Sequence, residues 1–389
     1  MADPGLREAV VVGAFQTPYS KRPAKEVLDL LVDAIAGILR AHSIRLADLD
    51  GLAATSFQLA PDNVVTLAEK LGASPAWAWQ GALGGASGVM SVIEAARAIS
   101  DGRASTVVAV AGDSFDVSRH MQLMDGFNTG MRDYLAPYAF GGTNGLFALV
   151  EREHRELYGT KRTQLAKLAV TQRANAQINP NALLRSPMSE EDYLTARLIA
   201  DPIRLYDCVL PCTGADAVLL MSRARADELG LPGLTILSGK SQNNYLPLEP
   251  LSIRTGAEKF ASELFAEAQV SHADLDFVQL YDDYPIMEVI QLEDLGFAKK
   301  GDGGPFIEAT DVTRQGALPV NTGGGQLSCG QSGAGGGLIG MVEAVLQLLG
   351  QAGQRQLDSP QLGLVSGFGM VGYGKGLSSA AAILSREPR

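Results

Sequence analysis

Tyr281-Asp282-Asp283-Tyr284 puts two phenols and two carboxyls in consecutive positions at the end of the apolar run Phe277 to Leu280. Phenols and carboxyls take up and return protons, so this stretch has the residue types for general acid–base work. The competing explanation is structural: a strand whose last tyrosine is buried with its hydroxyl satisfied, then a helix that Asp282 or Asp283 caps and Pro285 opens. A base role for Tyr281 requires a stabilised phenolate, because the reference pKa of the phenol is about 10.

A second stretch, Gly316 to Gly337, is crowded with glycine and runs into the apolar segment Leu338 to Leu349. Glycines ahead of a helical pattern mean backbone in close approach, or φ values that other residues resist. Two readings stand. A helix starting there offers N–H donors to an anion, a phosphate or a developing enolate oxygen, or the run is tight packing around a buried turn. Its spacing matches neither the dinucleotide fingerprint nor the P-loop. Within it, Gln331 can donate an amide N–H but cannot move a proton, and Cys329 reads either as a nucleophile or as a small packed thiol. Tyr373, in Val371 to Lys375, and Tyr245 either line a pocket mouth or decorate turns.

Composition bounds what these residues can serve. The 389 residues suit two or three domains or one duplicated unit, and 46% hydrophobic residues with 44 glycines fit a large α/β core. No uninterrupted apolar stretch approaches the ~18 residues of a membrane span, and the N-terminal residues lack a basic signal-peptide start. The expectation is a soluble, cytoplasmic protein with no membrane association. A net charge of −11 without a Lys/Arg run argues against nucleic acid. Cys208, Cys212 and Cys329 form no disulfide framework, and one Cys-x-x-x-Cys pair without a second does not make a zinc site.

The elements that must position the candidates follow in order. Glu8 to Phe15 reads as a buried strand, Lys25 to Arg40 as a helix, Leu49 to Phe57 as a second strand. Gly84 to Gly88 opens a helix through Ile99, and Ser105 to Gly112 is again a strand. This alternation predicts a mostly parallel sheet covered on both faces. From about 116 to 200 the pattern loosens, with helical pieces at Phe147 to Leu157 and Thr163 to Gln177; the segment is too long for a loop and reads as an insertion over a site.

The grammar then repeats. Ala273-Asp-Leu-Asp276 and its strand mirror Ala47-Asp-Leu-Asp50, Gly333 to Gly336 answers Gly85 to Gly88, and Leu364 to Gly367 answers Val110 to Gly112. Offsets that grow along the chain mean two copies with different insertions. The expected division is 1–255 and 256–389, two α/β halves about a pseudo-twofold axis.

Those ordered motifs, with Leu318 to Gly325 and Gly367-Phe-Gly369, resemble the thiolase superfamily over essentially the whole chain, closest to the sterol-carrier or lipid-transfer-protein branch. The resemblance implies a duplicated five-layer αβαβα fold. It implies that Gly85, Gly324, Gly330, Gly336 and Gly369 shape an acyl-CoA site. It also shows what is missing: Gly85 stands where a thiolase has its nucleophilic cysteine, Gly330-Gln331-Ser332 stands for Gly-His-Pro, and the second catalytic cysteine falls near Val365 or Ser366. His42, His120, His154 and His272 lie outside the motifs, so no acyl-cysteine chemistry is expected.

A class of thiolase-fold aldolases that shorten steroid side chains as CoA thioesters is similar in this respect. Likeness to it implies an acyl-CoA carbon–carbon lyase acting through a thioester enolate, with Tyr281 at a proton-transfer position, Gln331 where a second tyrosine stands, and Tyr284, Tyr373 and Asp283 beside them. The alternatives are an acyltransferase with non-standard residues or an inactive binding or scaffold subunit. The resemblance further implies CoA thioester as substrate, no permanently bound cofactor and no metal, a homodimer, and a small zinc-ribbon/OB-fold partner protein completing a heterotetramer.

Overall fold

The structure is a computed structural model describing residues 4–23, 25–140, 142–249, 251, 253–372 and 375–386. The chain runs β1 (Ala9–Gln16), α1 (Val27–Ala41), β2 (Gly51–Thr55), α2 (Val64–Leu71), β3 (Trp77–Gly81), α3 (Ala86–Ser100) and β4 (Thr106–Ser114). Next come α4 (Val117–Asp125), α5 (Gly142–Tyr158), α6 (Arg162–Gln177), α7 (Glu190–Thr195) and the small hairpin β5 (Leu198–Ala200) and β6 (Ile203–Arg204), before β7 (Thr213–Ser222) and α8 (Arg223–Leu229). The second copy runs β8 (Leu234–Asn243), α9 (Ala257–Ala268), β9 (Phe277–Gln279), α10 (Pro285–Asp294), α11 (Gly303–Ala309), α12 (Gly325–Cys329), α13 (Gly336–Leu348), β10 (Leu362–Gly372) and β11 (Lys375–Ser385).

Nine strands form one sheet in the order β3-β2-β4-β7-β1-β8-β11-β10-β9. Within the sheet the halves join where β1 pairs with β8, at Val10 opposite Thr235 and Val11 opposite Leu234. Outward from that seam β7, β4 and β2 match β11, β10 and β9, and the parallel bridge of Val278 to Val320 takes the place of β3. In this order β8 stands opposite β1 across the seam. The sheet is not mostly parallel: only β2–β3, β2–β4 and β9–β10 are parallel. Alternation with helices governs only the early strands of each half. β11 follows β10 with two residues between them, too few for a crossover, so the pair must be antiparallel.

The layers follow from which faces are apolar. α1 buries Leu31, Ile35 and Ile38 against the outer face of the first half, and α9 packs on β8 and β11 on the far side. α3 and α13 contact strands of both halves and form the middle layer, giving five layers with three large hydrophobic cores and a smaller one among the described residues. The two central helices cross backbone to backbone: a Cβ at Gly88 would lie closer than 3.0 Å to Gly337 C and O and to Leu338 N. Among the described residues no helix is long and apolar enough to cross a membrane.

Candidate active site

Because α3 begins right after β3 and α10 right after β9, the repeat brings Gly85 and the Tyr281–Tyr284 stretch to the same end of the middle layer. There they open onto a cavity of about 520 Å³. Its floor is Gly84, Gly85, Tyr281, Asp283, Gln331 and Gly369. The 116–200 segment supplies the opposite wall, with Val117, His120, Met121 and Met124 from α4, Thr143 and Asn144 from the start of α5, and Ile199. The segment thus forms a wall of this cavity, and most of that wall is apolar.

The geometry at Gly85 decides what chemistry the floor can do. A Cβ there would lie closer than 3.0 Å to Cε2, Cζ and Oη of Tyr281, so the tyrosine ring fills the space that any side chain at residue 85 would need. The Tyr281 backbone is fixed from behind: its N–H donates to Ser366 Oγ at 3.1 Å and its carbonyl accepts from Gln291 Nε2 at 2.7 Å. Ser366 also donates to Gln291 Oε1 at 2.7 Å, so the position expected for a second nucleophile is an anchor for the Tyr281 strand end.

Gln331 Nε2 donates to Gln326 Oε1 at 3.1 Å and makes a long 3.5 Å contact to Tyr281 Oη. The phenol oxygen therefore accepts from Gln331, which leaves its own hydrogen for whatever occupies the cavity. Burial, with Asp283 and Asp282 adding to it, pushes the Tyr281 phenol well above its usual value, so it stays protonated at neutral pH. Tyr284 is raised the same way, chiefly by burial; its hydroxyl donates to Asn144 Oδ1 at 2.6 Å and its ring stacks on Phe147 at 4.3 Å.

The two aspartates separate. Asp282 accepts from Gln326 N at 2.9 Å and Leu327 N at 3.1 Å, capping the short α12 behind the cavity. Asp283 faces the cavity and does not cap α10, whose N-cap residue Tyr284 makes no side-chain cap bond. Burial first, then the Asp282 charge, raises the Asp283 carboxyl well above the ordinary range.

Of the expected binding glycines, Gly85 and Gly369 line the cavity, while Gly324, Gly330 and Gly336 do not. Gly324 backs onto Ala176, whose Cβ would be 2.7 Å from an added Cβ; Gly330, at φ 109°, backs onto Cys212 Sγ at 2.9 Å; Gly336 backs onto Gln326. These three glycines allow the close packing that carries Gln331 to the floor. The helix start facing the cavity is that of α3, whose N-terminal N–H groups suit a developing negative charge. Tyr373 lies outside the described residues. Tyr245 donates to Glu258 Oε2 at 2.9 Å and is not in the lining, and Cys329 donates to the Gly323 carbonyl at 3.1 Å, a packed thiol.

Two lining residues were not singled out from the sequence. His120 lies outside the family motifs and yet lines the cavity; burial holds it down to about 4, so its imidazole is neutral. Cys208 has its thiol pushed up to about 12, mainly by burial, which leaves it no nucleophile at neutral pH. The recurrence of Val117, His120, Met121 and Met124 at helical spacing was the available signal for α4.

Burial of acids extends beyond the cavity and carries a pH dependence. Asp113 and Asp294 are pushed up to about 6, and Asp216 and Glu151 to about 7, in every case chiefly by burial. A raised carboxyl pKa favours the folded state below the unfolded value of about 4, and that contribution is lost as pH rises through the folded value. His120 acts in the opposite sense, but only as pH falls from its ordinary range towards 4. Thermal melts between pH 5 and 8 should show the melting temperature falling as pH rises; a melting temperature that climbs over this interval would contradict these burial effects.

With the geometry in view, the comparisons are specific. Residues 240–386 match the model of the thiolase C-terminal domain-like family. The chain has the thiolase fold. It is 27% identical to an acetyl-CoA acetyltransferase of Methanothermobacter thermautotrophicus, covering 98% of this chain and 100% of that one. It is 29% identical to the 17-hydroxy-3-oxo-4-pregnene-20-carboxyl-CoA lyase of Mycobacterium tuberculosis, covering 88% and 92%, and 26% identical to a steroid side-chain-cleaving aldolase of Thermomonospora curvata, covering 93% and 95%. Among solved structures it superposes on the Ltp2-ChsH2(DUF35) aldolase with a TM-score of 0.84 at 25% identity, covering 98% of each chain. A monomeric SCP2-thiolase-like protein of Mycobacterium smegmatis shares the fold at a TM-score of 0.74.

Proposed function

We propose that this thiolase-fold chain is an acyl-CoA carbon–carbon lyase that splits a β-hydroxyacyl-CoA by a retro-aldol step, without a covalent acyl-enzyme. The observation that carries this is the Tyr281 ring occupying the space above Gly85, while Cys208, the one thiol among the described lining residues, is held protonated by burial. The relatives named as a CoA-thioester lyase and a steroid side-chain-cleaving aldolase support the reaction class, and the apolar wall of α4 suits a bulky hydrocarbon acyl group. The thioester oxygen sits on the floor, where the Tyr281 hydroxyl, the Gln331 amide and the start of α3 donate to it as enolate charge develops. No cofactor is held permanently; the CoA thioester is the substrate.

The acetyltransferase relative favours a second reading, acyl transfer. That reading requires a nucleophile, and Cys208 is the only thiol among the described lining residues. Intact-mass spectrometry after exposure to acyl-CoA separates the two. The chain is expected to stay unmodified, and an acyl adduct on Cys208 or any other residue would restore the acyltransferase. For assembly, the superposed aldolase, whose name pairs it with a DUF35 protein, supports a partner of that kind, which would complete a heterotetramer with a homodimer of this chain. Co-purification with such a partner, and its effect on acyl-CoA affinity, tests this.

A further inference from the structure

Resting on the lyase reading, we infer that Asp283 is the base that takes the proton from the β-hydroxyl of the substrate and returns it, through Tyr281, to Cα. Asp283 lies on the floor between the two tyrosines, and its charge acts on both phenols. Its Oδ1 is buried and has no hydrogen-bond partner among the described residues, an arrangement that a structural carboxylate avoids and that a substrate hydroxyl would satisfy. The neighbouring acids do not line the cavity: Asp282 holds the start of α12, and Glu288 accepts from Gln172 and Asn321 at Oε2.

The other titratable groups around the cavity cannot take the first proton. Tyr281 and Tyr284 are held protonated by burial, Cys208 is pushed up to about 12, and His120, at about 4, is too weak a base for an alcohol. Arg197 is a cation, and Asp125 is exposed to water on the wall. Burial and Asp282 instead make the Asp283 carboxylate a stronger base than a solvated one.

The balance closes without a co-reactant. The Asp283 carboxylate accepts the β-hydroxyl proton, the O–H electrons form the Cβ carbonyl, and the Cα–Cβ bond breaks. Its electron pair becomes the thioester enolate, hydrogen-bonded on the floor. Tyr281 protonates Cα, and Asp283 returns its proton to the Tyr281 phenolate, so ketone and shortened acyl-CoA leave with both side chains restored.

The test uses the full chain, a branched β-hydroxyacyl-CoA, and release of the ketone. Asp283→Asn should lower kcat about 10²- to 10⁴-fold with KM within a few-fold, and melt no earlier than wild type, because the amide keeps the shape of the carboxyl and brings no charge to bury. Asp283→Ala should lose activity equally and regain part of it with added formate, which can enter the space of the missing carboxyl. Turnover by the Asp283→Asn variant within about fivefold of wild type would overturn the assignment. So would a well-folded Asp283→Ala variant that formate does not rescue, since that is the behaviour of a positioning residue. A wild-type chain that releases no ketone would remove the lyase reading, and this assignment with it; wild-type cleavage with an unimpaired Asp283→Asn variant removes the assignment alone.

Discussion

Tyr281→Phe is expected to fold and melt like the wild type and to lose turnover by about 10²- to 10⁴-fold, with a modest change in KM. The substitution removes one oxygen. The ring keeps its place above Gly85 and beside Phe368, and the backbone remains fixed by Ser366 and Gln291. Gln331 loses only a long contact and keeps its bond to Gln326, so no buried donor is orphaned. What disappears is the hydroxyl hydrogen that no described protein group claims. If Tyr281 were a structural tyrosine, the variant would melt early and the folded fraction would turn over normally. Melting temperature and kcat measured on the same preparation tell these outcomes apart.

Gly88→Ala should be among the most destabilising single substitutions in the chain. Helix propensity alone favours alanine by up to about 1 kcal/mol in mid-helix. Here the new methyl would meet backbone atoms of Gly337 and Leu338, which cannot rotate away as a side chain could. Overpacking a core costs about 1–3 kcal/mol and sometimes more, so the clash outweighs the propensity gain. Separating α3 from α13 also moves Gly85 relative to Gln331, and activity should fall with stability. Thermal melts and soluble yield are the measurements. A variant melting at or above the wild-type temperature would show that the helices can part freely, contrary to the packing described.

The two-copy layout was legible because each copy repeats the same turn chemistry, Ala-Asp-Leu-Asp before a strand and a glycine cluster before a helix. Tyr281, Asp283, Tyr284 and Gln331 could be named in advance because they occupy motif positions next to strand and helix ends, where the backbone leaves little choice of location. Strand direction was not legible for β7 and β11, since hydrophobic runs look alike whichever way a buried strand points. Nor was the role of individual glycines: Gly336 and Gly369 read the same in sequence, and only the fold shows one facing Gln326 and the other the cavity. His120 and Cys208 reach the site from the 116–200 segment and the chain just after it, whose placement depends on long-range packing rather than local pattern.

The crossing of α3 and α13 has a consequence for how the protein comes into being. α3 is synthesised early, but α13, which packs against it, begins at Gly336, and β10 and β11, which also cover it, follow later still. On the ribosome the flank of α3 that meets α13, β10 and β11 therefore waits uncovered until nearly the whole chain has emerged. Fragments ending before Gly336 would expose that flank permanently, which makes them substrates for chaperones or aggregates rather than half-sized domains, and makes late truncation more damaging than its length suggests.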